Sequence, residues 1–169
     1  MKRLSTLTAA TTLLLLLALA VPAGDAAAQS AKSLVGTWTL VSADNVDASG
    51  NKTPTFGLNP RGSLIFESNG RYSIHNTRAS LPKFASDNRL KGTAEENQAI
   101  VAGTIAHFGK YTVDEKDKAF TFHIEASTYP NWDGTTQKRP FTVSGDELKY
   151  GVAAASGGGR AELVWKRAK

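Results

Sequence analysis

Short runs of alternating apolar and polar residues, separated by turn-forming residues, follow one another from Leu34 to Arg167. No other feature limits the fold as strongly. Leu34–Ala43 reads as the first strand. Ser63–Glu67 and Arg71–His75 flank Ser68-Asn69-Gly70, and Asn-Gly between apolar runs is a strong hairpin signal. Gly109–Val113 and Ala119–Ser127 flank a charged turn, and Lys138–Val143 and Glu147–Val152 flank Ser144-Gly145-Asp146. A final hairpin crosses Gly157-Gly158-Gly159 into Arg160–Lys166. With Thr53–Gly57 as a short addition, the expectation is an all-β, antiparallel up-and-down barrel of eight to nine strands, which removes its edges by closing on itself. Gly36, Trp38 and Arg167 fit closure. The first and last strands must pair, and a Trp–Arg stack can plug one end.

One stretch has a different period. Thr93-Ala94-Glu95-Glu96 is a capping box, and Ile100, Val101, Ile105 and Phe108 follow near helical spacing. An inserted helix is therefore expected from about Ala94 to His107. The polar connection before it, Thr77–Lys91, is long enough to be a lid, though a packed structural excursion is an equal reading.

The N-terminus has the form of a secretory leader. Lys2 and Arg3 precede the apolar Leu13–Val21, and Ala26-Ala27-Ala28 fits small-residue cleavage. Residues 1–28 are expected to be removed, leaving one domain from 29 to 169 that is periplasmic or secreted. The apolar run is too short for stable membrane insertion. The chain contains no Cys, so neither disulfides nor a thiol nucleophile enter the argument. Its formal net charge of +5 comes from scattered residues and indicates no nucleic-acid partner. A monomer or weak homo-oligomer is expected.

Taken in order, Leu34-Val35-Gly36-Thr37-Trp38, Asn69-Gly70-Arg71-Tyr72, Gly109-Lys110-Tyr111-Thr112-Val113, Tyr129-Pro130-Asn131-Trp132-Asp133-Gly134 and Val164-Trp165-Lys166-Arg167 resemble the lipocalin-like domain proteins. These are small bacterial and fungal barrels. The resemblance spans nearly the whole chain after the leader and implies a lipocalin-like fold with an interior pocket. Some relatives of this architecture act as cyclases or isomerases on polyketide-type compounds, so the resemblance implies no single reaction.

Candidate ligand residues are Tyr72, Tyr111, His123, Glu125, Trp132 and Arg139. In Ala119–Ser127, Phe120, Phe122 and Ile124 share one face and His123 and Glu125 the other. Taken as inward, His123 and Glu125 form a polar stripe that orients a ligand or exchanges a proton with it. Taken as outward, they leave the lumen apolar. The inward placement is the working expectation. Trp132 is a rim residue or a hydrophobic plug. Arg139 either anchors a ligand carboxylate or pairs with Glu125 or Asp133, the more ordinary role. His107 is expected to cap the helix C-terminus. Three dispersed His residues give no metal-ligand spacing, and no cofactor is indicated. The leading reading is binding of a small hydrophobic or amphipathic molecule. The alternative is an isomerase or cyclase using His123 and Glu125.

Overall fold

The first and last strands do meet, and their pairing organises the whole chain. A computed structural model describes residues 31–169; the expected leader and its cleavage point lie outside the described residues. The order is α1 (Ala31–Leu34), β1 (Gly36–Val46), β2 (Lys52–Pro54), β3 (Arg61–Phe66), β4 (Arg71–Thr77) and α2 (Ala94–Gly103). There follow β5 (Thr104–Asp114), β6 (Ala119–Ser127), a 3-10 turn (Pro130–Trp132), β7 (Thr136–Ser144), β8 (Glu147–Val152) and β9 (Arg160–Arg167). β1 pairs antiparallel with β3 on one side and β9 on the other. Eight strands thereby close into a lipocalin-like barrel, and β2 adds a short ninth alongside Asp44–Val46.

Two irregularities aim side chains. A bulge between Leu40 and Ser42 resets the alternation of β1. Trp38 and Leu40 are buried before it, and after it Ala43 and Asn45 face the interior. A second register shift between Phe108 and Gly109 lets β5 and β6 approach closely. A Cβ at Gly109 would fall 2.1 Å from the His123 carbonyl oxygen. Gly109→Ala is expected to cost about 2 kcal/mol by overpacking, read as a lower urea midpoint at unchanged m-value.

The two ends of the barrel differ. At the end holding the β3–β4, β5–β6 and β7–β8 turns, the fully buried Trp38 donates from Nε1 to the Leu34 carbonyl at 2.8 Å. Arg167 lies over its ring, 4.1 Å from the centroid. The Arg167 guanidinium also donates to the Val35 and Ser33 carbonyls at 3.0 and 2.8 Å, so α1 is fastened across this end. Above the plug, Phe66, Phe120, Phe122, Tyr72 and Tyr111 pack edge-to-face, stacked or tilted, filling the barrel with aromatic rings.

The inserted helix is shorter than the sequence indicated. Its capping box is present: Thr93 Oγ1 accepts from the Glu96 N–H, and Glu96 Oε2 accepts from the Thr93 N–H. The helix stops at Gly103, however, and Ile105, His107 and Phe108 belong to β5. His107 is therefore a barrel residue and not a helix cap. α2 lies mostly exposed outside the barrel, with Val101 76% accessible.

Candidate functional site

Strand β6 decides which face is wet. Phe120, Phe122 and Ile124 are at most 2% exposed and line the interior, whereas His123 and Glu125 lie on the outer surface. The inward expectation for that pair is corrected. Burying two phenylalanines and an isoleucine contributes about 1.5–3 kcal/mol each, while carrying an ionised carboxylate inside without a cation is strongly unfavourable. Outside, His123 Nε2 is 3.1 Å from Thr112 Oγ1. Glu125 accepts two hydrogen bonds from Arg71, at 3.2 and 2.9 Å, and these hold its carboxyl below the usual range.

The interior cavity sits at the other end from the Trp38 plug. Ile74, Ile105, Phe122, Trp132 and Leu163 supply an apolar lining, and Asn45, Thr55, Asn76, His107, Arg139 and Tyr150 a polar one. Of the sequence candidates, Trp132 and Arg139 line this space. Tyr72 is inside the barrel but below it, and Tyr111 is turned toward the closed end, where its hydroxyl donates to the Glu67 carbonyl at 2.9 Å. Tyr111 is thus a structural tie to the β3–β4 turn. No residue from 78 to 103 lines the cavity, so the excursion around α2 is not its lid.

Arg139 is the most consequential side chain. It is 5% exposed, and among the described residues no carboxylate pairs with it; Glu125 is committed to Arg71. Its hydrogen-bond acceptors are neutral: the Lys138 carbonyl at 3.2 Å and the side-chain oxygen of Gln137. Burial disfavours its charge, and Tyr150 and Tyr72 lie close enough to feel it. Three residues lining the same cavity, Asn45, Thr55 and Asn76, each carry a buried side-chain oxygen (Oδ1, Oγ1 and Oδ1) without a hydrogen-bond partner. Buried polar atoms are nearly always paired, so three together mark a place completed by something else.

His107 is held by Tyr72, whose hydroxyl lies 2.8 Å from Nδ1, and it meets Phe122 and Trp132 edge-on. Burial, with Arg139 nearby, lowers its pKa to about 3, so the ring is neutral at pH 7. Its folded value lies below the ordinary 6.5, so the unfolded chain binds the extra proton. Stability is therefore expected to fall as pH drops from about 6.5 toward 3, by up to about 1.4 kcal/mol per pH unit. Urea midpoints between about pH 6.5 and 5.5 test this above the carboxylate range, and His107→Gln should flatten the slope.

The cavity's volume is about 70 Å³. That is under half of the roughly 150 Å³ that admits benzene in an engineered core, so an organic guest requires the rim to move. The β8–β9 connection supplies Ala155, Ser156 and Gly157 to the lining. Its own hydrogen bonds, Ala155 N–H to Gly159 O and Gly158 N–H to Ala155 O, stay within the loop. Beside it the β7–β8 ladder ends at Phe141–Tyr150. The next residue, Pro140, has no N–H to continue it. The 3-10 turn is fixed more firmly, since Gly134 N–H donates to Ile124 O and Tyr129 N–H to Ser127 Oγ.

The lipocalin-like domain family matches residues 35–168. The 4'-hydroxy-3'-methoxypropiophenone carrier protein ppsC of Aspergillus oryzae is 32% identical over 78 residues, covering 43% of this chain and 70% of that protein. Two solved variants of the fluorescent protein UnaG align at 15% and 13% identity with TM-scores of 0.38 and 0.37. They cover 82% and 83% of this chain and 99% of their own.

Proposed function

The chain belongs to the lipocalin-like domain family, and on that premise we propose that it is an exported carrier binding a small, partly apolar organic molecule at the open end of its barrel. The observation that carries this reading is the convergence of Arg139, without a carboxylate, and three unpartnered buried oxygens on one cavity with an aromatic lining. Apolar walls with a few placed polar groups are the usual make-up of a small-molecule site. The fungal relative is named as a carrier of a hydroxylated, methoxylated propiophenone, a guest with the same combination of a flat apolar body and polar ends.

Binding is favoured over proton-transfer catalysis by His107. A base with a pKa of about 3 is poorly matched to proton abstraction near pH 7, and His123 and Glu125 lie outside the lumen. Export rests on the leader-like residues 1–28; among the described residues no helix is long and apolar enough to cross a membrane.

Native mass spectrometry of protein recovered from its own host tests both parts. Periplasmic or culture-medium protein beginning near Gln29 and carrying a small organic guest is the expected result. Protein that is always empty, and that binds none of a panel of small aromatic compounds, would remove the carrier reading. Retention in the cytoplasm would remove export alone.

A further inference from the structure

The polar groups of the cavity are sorted by kind and by wall. In the ring order β1-β3-β4-β5-β6-β7-β8-β9, β7 stands four strands from β3 and so faces it across the barrel. Arg139 is on β7, and it offers only hydrogen-bond donors. On the opposite side Asn45 belongs to β1 and Asn76 to β4, the two strands flanking β3, and Thr55 follows β2. Their unpartnered atoms are two amide oxygens, which accept, and a hydroxyl, which does either. Between them β3 presents Gly62. A Cβ there would sit 2.7 Å from Asn76 Oδ1, so the missing side chain makes the room in which that buried acceptor sits. Phe122 and Trp132 supply aromatic walls between the two sides.

We infer that the lumen selects a small hydroxyaryl carboxylate, its carboxylate against Arg139 and its hydroxyl donating to the acceptor group of Asn45, Thr55 and Asn76. The inference rests on the binding function proposed above and gives it a ligand class. A carboxylate matches the planar guanidinium fork and compensates a buried charge, which a neutral carbonyl does not. The hydroxyl satisfies a buried acceptor that the protein leaves unpaired, a condition that strongly discriminates against ligands lacking it. The aromatic ring fits walls made of Phe122 and Trp132.

Isothermal titration of the full folded chain with 4-hydroxybenzoate, benzoate and 4-hydroxybenzamide reads the two ends separately. The hydroxy acid is expected to bind at least about tenfold more tightly than either analogue, as expected when one buried polar contact is lost. Arg139→Met should erase the preference for acid over amide and leave the hydroxyl preference. Asn76→Leu should do the reverse, with thermal melts verifying that both variants fold. Equal affinity for acid and amide in the unaltered protein overturns the inference whatever the variants do. Failure of all three compounds, when a neutral aromatic ketone binds in the lumen, overturns the ligand class and leaves the carrier reading standing. Failure of every compound, with empty protein in the native mass spectrum, removes both.

Discussion

Replacing Arg139 with methionine is expected to make the empty protein more stable and its binding site much weaker. A cation at 5% exposure with neutral hydrogen-bond partners keeps a desolvation cost that no carboxylate among the described residues offsets. Replacing even a buried ion pair by apolar groups of similar volume is often neutral or stabilising by about 1–4 kcal/mol. A cation without a carboxylate has less attraction to lose, so the denaturation midpoint should rise by the equivalent of about 2 kcal/mol. Affinity for an anionic guest should fall at least about thirtyfold, because truncating one partner of a buried charge pair costs about 2 kcal/mol or more. The opposite signs are the informative part. A residue kept for packing or for an internal ion pair would lose stability on the same change, whereas a preformed anion site gains it. Chemical denaturation and calorimetric titration on one preparation read both quantities.

Trp38→Ala is expected to have the largest effect on stability, a loss of about 4 kcal/mol. The indole is fully buried, bonds Leu34 through Nε1 and supports Arg167 on its face. Its removal leaves an aromatic-sized void and releases both α1 and the end of β9 from the closed end of the barrel. Arg167→Met, which leaves the indole in place, should cost less, about 1–2 kcal/mol, through loss of the cation–π contact and the two carbonyl bonds. Urea titrations of the two variants separate the plug from its fastening. Neither change touches the cavity, so ligand selectivity should survive wherever the variant remains folded.

The barrel was legible because its signal is repeated: each strand carries a period of two, and Asn69-Gly70 leaves little choice of turn. The end of α2 was not legible, for a physical reason. The inward positions of β5 after Ile105 are His107 and Gly109, one polar and one without a side chain, so the alternation that marks a strand is erased there. What remains, Ile100, Val101, Ile105 and Phe108, falls near helical spacing by coincidence. His107, the one histidine that reaches the cavity, falls inside that spacing and so reads as the end of a helix. On β6 the alternation separated Phe120, Phe122 and Ile124 from His123 and Glu125 correctly. Weighing hydrophobic burial against the cost of an inward carboxylate would have chosen the face.

The acceptor group was out of reach of any one-dimensional reading. Asn45 enters the lumen only because the bulge beside Val41 shifts the phase of β1. Asn76 and Thr55 are single neutral residues with no motif around them. Arg139 was visible as a strand arginine with two possible roles. Its expected partners are otherwise placed: Glu125 is on the outside with Arg71, and Asp133 follows the 3-10 turn without an ion pair to Arg139.

The pairing of β1 with β9 also sets a clock. During synthesis β1 is complete at Val46, but the strand that closes it begins at Arg160. At 5–20 residues per second the delay is roughly ten seconds. Once β3 is made it covers one side of β1, and the other side stays open until Arg160–Arg167 exist, so no ring can close before β9 is made. Until then the chain is an unsealed ribbon whose open strand edge a neighbouring nascent chain can pair with. Its last eight residues of strand turn that ribbon into a vessel.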